Sequence, residues 1–113
     1  MDLKNKQLKS VALPIWNNIV AAATEQNYAR FSRGFSNDLL AKLSEEHFRA
    51  SCEDYSILTS IAPDYEIIDS IQRENGVTIL WRLTSTRLQG EFLGQLTLQS
   101  GESGMEITGV SVN

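Results

Sequence analysis

The chain has 113 residues, a formal net charge of −4 and a hydrophobic fraction of 42%. This length and composition are typical of one globular domain over residues 1–113 and exclude an intrinsically disordered chain. The ten lysines and arginines are scattered along an acidic chain. Nucleic-acid phosphates require a concentrated basic surface, so no nucleic-acid partner is predicted.

The amino terminus carries three lysines before a short apolar run, which loosely mimics a secretory signal. Pro14, Asn17 and Asn18 interrupt that run, so it is too short and too polar for a signal peptide. No stretch approaches the roughly 18 apolar residues that a membrane span requires. The sequence therefore predicts a soluble, cytoplasmic protein without a membrane partner.

Metal and thiol chemistry have little support in the sequence. The chain contains one cysteine, Cys52, and one histidine, His47, which excludes an internal disulfide and a cysteine-rich zinc site. Glu53 and Asp54 disfavour a thiolate beside them, so we expect Cys52 to be a small buried hydrophobe on a helix. We predict no metal, no cofactor and no catalytic role for His47.

Residues 11–62 have the apolar spacing of helices and follow a polar segment, residues 1–10, that we expect to be frayed. Proline suits the first turn of a helix, where its missing N–H costs nothing. The first helix is therefore predicted to begin between Ser10 and Pro14.

Several residues predict where the later helices begin and end. Asn27 is a plausible stop for the first helix, and Gly34 closes a short amphipathic piece that begins near Tyr28. Ser36 and Ser44 have the position and the side chain of N-caps for two further helices.

Four runs after Pro63 alternate between apolar and polar residues with the period of a β-strand. These runs cover residues 65–72, 77–86, 91–99 and 105–112. Asn75-Gly76 predicts a hairpin turn, because both residues tolerate positive φ. Gly109 predicts a bulge in the last run. Short turns between such runs predict an antiparallel meander over residues 63–113.

Helices followed by a meander predict an α+β fold, with the N-terminal helices packed on one face of a curved sheet of about four strands. Trp81 lies in the middle of the most apolar strand face, between Ile79 and Leu83. We therefore expect Trp81 to be buried between the sheet and the helices.

The order of elements resembles the nuclear transport factor 2-like superfamily, also described as cystatin-like, and in particular its short bacterial members of unknown function. The resemblance covers the chain from about Pro14 onward. It rests on residues 25–31 (EQNYARF), 35–39 (FSNDL), 43–48 (LSEEHF) and 105–110 (MEITGV). It implies a sheet wrapped around helices to form a cone, whose mouth holds a ligand or an active site in larger members. The extra strand pair of those members is not found before Pro63, which indicates a shallow or closed cone.

Asp69 is the first catalytic candidate, because it interrupts an apolar face between Ile67 and Ile71. A carboxylate inside a pocket would suit a general base. The resemblance implies the same role, because ketosteroid isomerase-like members of the superfamily use a carboxylate as the base. A strand bulge would instead turn Asp69 toward solvent. Tyr28 and Tyr55 are weaker catalytic candidates.

A pocket for a small apolar ligand is predicted inside the cone. Its expected lining is Trp16, Tyr28, Phe31, Tyr55, Asp69, Trp81 and Phe92. The alternative is that the aromatic residues among them belong to the core and its edge.

The second face of the sheet is more apolar than a solvated antiparallel face should be. Its apolar residues are Ile68, Leu80, Leu93 and Val110. If they gather into one patch, they predict a symmetric homodimer joined through the outer sheet face. The alternative is a scatter of single apolar residues that the surface tolerates.

Two functions therefore remain open. The first, which we prefer, is a non-catalytic binding or self-association module. The second is an isomerase- or hydrolase-like enzyme that acts on an apolar substrate in the cone, with Asp69 as the general base. An open cavity in which Asp69 and a tyrosine converge would favour the enzyme, and a filled core would favour the module.

Overall fold

The computed structural model describes residues 5–54, 57–101 and 104–113. Within these residues, four α-helices precede four β-strands, as the sequence predicts. The helices are α1 (Asn5–Glu25), α2 (Tyr28–Phe31), α3 (Asn37–Lys42) and α4 (Glu45–Asp54). The strands are β1 (Glu66–Arg73), β2 (Gly76–Thr84), β3 (Glu91–Gly101) and β4 (Gly104–Val112).

Helix α1 begins earlier than predicted. It starts at Asn5, so Ser10 and Pro14 lie inside the helix, and the residues from Asn5 onward are helical rather than frayed. The reason is an apolar stripe that continues toward the amino terminus, since Leu8 and Ala12 are buried on the same side of the helix. Pro14 is exposed on the other side. Burial of that stripe outweighs the hydrogen bond that a proline removes.

Side-chain caps start the short helices at the predicted serines. The Ser36 hydroxyl accepts a hydrogen bond from the Leu39 N–H at 3.2 Å, and the Ser44 hydroxyl accepts one from the His47 N–H at 3.3 Å. Asn27 lies just beyond the end of α1 and also caps α2 with its side-chain oxygen. These caps satisfy N–H groups that a helix start leaves unpaired.

The sheet is an antiparallel meander in the order β1-β2-β3-β4. Its first hairpin differs from the prediction, because Glu74 and Asn75 form the turn and Gly76 already pairs with Arg73. Gly76 is also not among the glycines with positive φ. A Cβ there would lie less than 3.0 Å from backbone atoms of Leu98. Close strand packing, not turn conformation, therefore requires this glycine.

A β-bulge decides which residues of β1 face the helices. The register between β1 and β2 shifts between Ile67 and Asp69, which leaves Ile68 as the extra residue. Ile67 lies opposite the buried Trp81, whereas Asp69 lies opposite Leu80 on the outer face. The predicted apolar face of this strand is therefore broken after Ile67.

A second bulge acts in the same way in β4. The register shifts between Ile107 and Gly109, so the extra residue is Thr108, directly before the glycine at which a bulge was predicted. Beyond it, Val110 lies opposite Leu96, which is fully buried. Val110 therefore faces the helices and not the outer surface on which it was predicted.

The space between α1 and the sheet is filled by side chains. Trp81 is 1% exposed, which confirms the predicted burial. Its ring stacks on Trp16 of α1, with centroids 5.0 Å apart and planes 10° apart. A Cβ on Gly94 would lie 2.7 Å from Cζ2 of Trp16. The core at this point has no room for a ligand.

The two edges of the sheet differ in their surroundings. Phe35 forms a parallel bridge with Ile107 of β4. The Ser36 N–H donates to the Ile107 carbonyl at 2.9 Å, and the Ile107 N–H donates to the Gly34 carbonyl at 2.8 Å. This short segment covers part of the β4 edge. Strand β1 forms the opposite edge.

Candidate functional site

A cleft with a volume of about 220 Å³ opens between α2, α4 and the end of β4; we call it the α4–β4 cleft. Its apolar floor consists of Phe31, Leu43, Phe48, Leu58, Val110 and Val112. Its polar rim consists of His47, Ser51, Ser111 and Asn113. An apolar floor with a few polar groups at the rim is typical of a ligand pocket.

The helical wall of the cleft follows from the spacing of residues in α4. Phe48 is fully buried, and His47 and Ser51 flank it at the cleft side of the helix. Within the floor, the Phe48 ring contacts the Phe31 ring at a centroid distance of 4.4 Å. The Tyr28 hydroxyl donates a hydrogen bond to the Leu43 carbonyl at 2.7 Å. These contacts pack the floor residues against one another.

The strand wall depends on the bulge in β4. Without the extra residue Thr108, the alternation that buries Ile107 would turn Val110 and Val112 to the outer face. With the bulge, both valines are half-buried and pack against the core. The bulge is therefore what gives this side of the cleft an apolar surface.

The rim of the cleft offers hydrogen-bonding groups. Among the described residues that line it, His47 is the one titratable side chain, and it is exposed at the rim. A general base would need a second group to orient it or to accept the proton. His47 and Ser51 can instead exchange hydrogen bonds with one polar end of a ligand.

Asp69 lies far from this arrangement in the fold. It is exposed on β1, beside the bulge, and its carboxylate accepts a hydrogen bond from the Ser70 N–H at 2.8 Å. The bulge turns Asp69 toward solvent, which is the alternative that the sequence left open. The structure does not bring Asp69 and Tyr28 together, because the Tyr28 hydroxyl donates its hydrogen bond to the Leu43 carbonyl.

The other predicted pocket residues are divided between the core and the cleft. Trp16 and Trp81 are buried against each other, and Phe92 is half-buried beside the same core. Phe31 lines the cleft. Tyr55, predicted both as a pocket residue and as a catalytic candidate, lies outside the described residues.

The sequence did not predict that one site contains His47, Phe48, Val110 and Val112. A usable signal was present, because a bulge near Gly109 implies that the valines after it face the same way as Ile107. The histidine carried no signal of its own, since its place at the rim depends on how α4 packs against β4.

The predicted dimer face is also divided by the bulges. Leu80 and Leu93 lie half-buried on the outer face, but Val110 faces the helices. Ile68 is 51% exposed at the β1 bulge, and Ile71, predicted to face inward, is 45% exposed on the outer side. The outer apolar patch therefore consists of Ile71, Leu80 and Leu93, and it reaches the edge of the sheet at β1.

Cys52 is 8% exposed on α4, as expected for a small buried hydrophobe. Burial raises the pKa of the Cys52 thiol above its ordinary value, and the neighbouring Glu53 carboxylate raises it further. The thiolate is therefore disfavoured in the folded protein. We expect iodoacetamide at pH 8 to modify Cys52 at least about tenfold more slowly in buffer than in denaturing urea. Equal rates, measured by mass spectrometry, would contradict this environment.

Comparison with known proteins gives a likeness of fold. No family model matches the chain, and no curated protein matches it. Among solved structures, the solution structure of a SEC-C motif containing protein from Rhodopseudomonas palustris is similar, with a TM-score of 0.54 and 8% sequence identity. The match covers 98% of each chain. At this identity the similarity shows the α+β fold alone.

Two further features are absent from the described residues. No helix in them combines the length and the apolar character needed to cross a bilayer. No three His, Cys, Asp or Glu side chains in them are grouped so that they could hold a metal ion.

Proposed function

We propose that this protein is a small, non-catalytic binding module of the nuclear transport factor 2-like type. Its α4–β4 cleft takes a small, mainly apolar molecule that carries one hydrogen-bonding group. The observation that carries the proposal is an open apolar cleft with His47 and Ser51 at its rim, beside a core that is filled.

The size of the cleft defines the ligand class. Its volume of about 220 Å³ is below the roughly 300–1,000 Å³ of sites for drug-sized molecules. A single aromatic ring or a short acyl chain is therefore the appropriate occupant. Burying six carbons gains roughly 5 kcal/mol, most of which the entropy of association offsets. We accordingly expect affinities between millimolar and high micromolar for simple probes.

The architecture supports the superfamily proposal at the level of element order. Helices precede a sequential four-stranded antiparallel sheet, and one face of that sheet packs on the helices. The Trp16–Trp81 stack fills the space next to α1. A filled space here suits the shallow or closed cone that the short sequence before Pro63 implies. We extend the proposal to a cytoplasmic location.

A cleft-filling substitution tests the binding site. Ser51→Phe places a ring in the cleft, whereas Ala50→Phe places the same ring on the exposed side of α4. Phenol and hexanoate are the probes, and ¹H–¹⁵N NMR is the measurement. We expect saturable shifts at the amides of Phe48, Val110 and Val112 in the parent and in Ala50→Phe. The affinity should fall at least about tenfold in Ser51→Phe, since a filled pocket excludes the ligand.

Two results would contradict the proposed function. One is a set of shifts scattered over the surface without saturation for both probes. The other is saturable binding that Ser51→Phe leaves unchanged. Circular dichroism of both variants checks that the helices are intact.

A further inference from the structure

The β1 edge of the sheet has no further strand beside it among the described residues, and Leu8 and Lys9 of α1 line a cavity with residues 67–70. Strand β1 ends the strand order, and its residues are exposed or half-buried throughout. Among the described residues, no backbone hydrogen bond outside the β1–β2 ladder reaches this strand. The opposite edge, at β4, is partly covered by the segment around Phe35. Natural proteins usually protect an edge of this kind or use it for pairing.

The same edge carries two of the most exposed large apolar side chains. Ile68 is 51% exposed and Ile71 is 45% exposed, and they lie three residues apart. They lie beside the exposed charged residues Glu66, Asp69 and Arg73, the kind of residue that protects many edge strands. The exposed isoleucines give this edge an apolar surface that a partner chain can cover.

The faces of β1 are symmetric around Ser70 when the bulge residue Ile68 is set aside. The register with β2 places one set of side chains outward and the other set toward the helices. The outward set is Glu66, Asp69, Ile71 and Arg73, and the inward set is Ile67, Ser70 and Gln72. Counted from Ser70 toward either end of the strand, outward and inward residues alternate in the same order. A two-fold axis through Ser70 requires this symmetry.

We infer that a second copy of this chain pairs antiparallel with the β1 edge, on a two-fold axis at Ser70, so that the two sheets become one. Residues that pair across an antiparallel ladder must share a face, and this register satisfies that condition at every position. The facing pairs are Glu66 with Arg73, Ile67 with Gln72, Asp69 with Ile71, and Ser70 with itself. The inference does not depend on the ligand of the α4–β4 cleft.

Charge complementarity favours a second copy over an unrelated extended peptide. The two-fold axis places Glu66 of each copy opposite Arg73 of the other, so opposite charges meet at both ends of the interface. Within one chain, Arg73 donates through Nε to the Thr78 hydroxyl at 3.1 Å, and Glu66 pairs with Arg82. Both side chains are exposed, so they are accessible to a partner.

The bulge adds an apolar contact near the axis. Two residues oppose one at a bulge, so Ile68 and Asp69 of one copy together face Ile71 of the other. Each of the two symmetric contacts then places Ile68 of one copy beside Ile71 of the other, so both exposed isoleucines of each copy are covered. A peptide without this spacing would leave them in water.

Reciprocal charge reversal tests the inference. Light scattering after size exclusion, at roughly 50 μM protein, should give the mass of a dimer for the parent chain. Glu66→Arg alone and Arg73→Glu alone each place like charges at both ends of the interface, and each should raise the dimer Kd roughly tenfold or more. An equimolar mixture of the two variants should form a heterodimer, because the residues at positions 66 and 73 are then opposite in charge at both ends of the interface.

Matched controls carry the same charge changes elsewhere. Glu46→Arg on α4 and Arg33→Glu after α2 should leave the dimer unchanged, since both positions are exposed and distant in the fold from β1. A monomeric parent, or a mixture of reversals that stays monomeric, would overturn the inference. A dimer that survives both reversals but is broken by Leu80→Glu with Leu93→Glu would also overturn it and would identify the outer sheet face as the interface.

Discussion

Replacing Trp81 with alanine should lower the free energy of unfolding by about 3–5 kcal/mol. The side chain is 1% exposed, stacks on Trp16 and forms a T-shaped contact with the Tyr65 ring at a centroid distance of 5.9 Å. Truncation therefore opens a large cavity and removes two ring contacts. This loss is a large share of the free energy of unfolding of a small domain, which is roughly 5–15 kcal/mol. Urea denaturation followed by circular dichroism measures it.

Two comparisons make the Trp81 result specific. Leu88→Ala, at a residue 40% exposed, should change stability by no more than about 0.5 kcal/mol. Trp81→Phe should cost less than Trp81→Ala, because a ring remains against Trp16. The indole N–H of Trp81 has no hydrogen-bond partner among the described residues. Replacing the indole with a phenyl ring therefore leaves no acceptor among those residues unpaired. A loss below about 1 kcal/mol in Trp81→Ala would show that the core does not depend on the stack.

The elements of this fold were predictable because each has a local cause. Ser36 and Ser44 cap helices through their own side chains, and alternation fixed the inner face of β2 around Trp81. Helix α1 begins earlier than Pro14 predicts, because the preference of proline for a first turn is only a local signal. Burial of the stripe at Leu8 and Ala12, which is a tertiary effect, decided the outcome.

The faces of β1 and β4 were less predictable, because a bulge changes every side chain beyond it. One extra residue at Ile68 moved Asp69 and Ile71 outward, and one at Thr108 moved Val110 inward. No residue type demands a bulge at Ile68, so a strictly alternating pattern gives the wrong faces there. The candidate base and much of the candidate dimer face depended on that alternation.

The α4–β4 cleft could not be found from sequence for a related reason. Its walls come from α4 and the end of β4, which are distant in the chain and meet only through packing. Phe48 and Val110 each look like ordinary core residues when taken singly. Only their juxtaposition leaves a space, and spacing along one chain does not report a space between two elements.

Replacing Gly76 with alanine should destabilise the protein by about 3 kcal/mol or more. A Cβ at this position would lie less than 3.0 Å from the carbonyl carbon and oxygen of Leu98 and from the Cα of Gln99. All three are backbone atoms, so no side-chain rotation can relieve the overlap. Gly76 pairs with Arg73 on one side and with Gln99 on the other, so β2 must separate from β3 at the hairpin. Overpacking against fixed atoms costs about 1–3 kcal/mol and occasionally more.

Gly109→Ala is the matched control for Gly76→Ala. Gly109 also lies in a strand, but a Cβ there would meet only the Thr97 side chain, at 3.2 Å from Oγ1 and 3.3 Å from Cβ. That side chain can move by a few tenths of an ångström, so the loss of stability should be at most about 1 kcal/mol. Chemical denaturation of both variants under one set of conditions gives the comparison. Losses that agree within about 0.5 kcal/mol would contradict the view that contact with the β3 backbone requires the glycine at position 76.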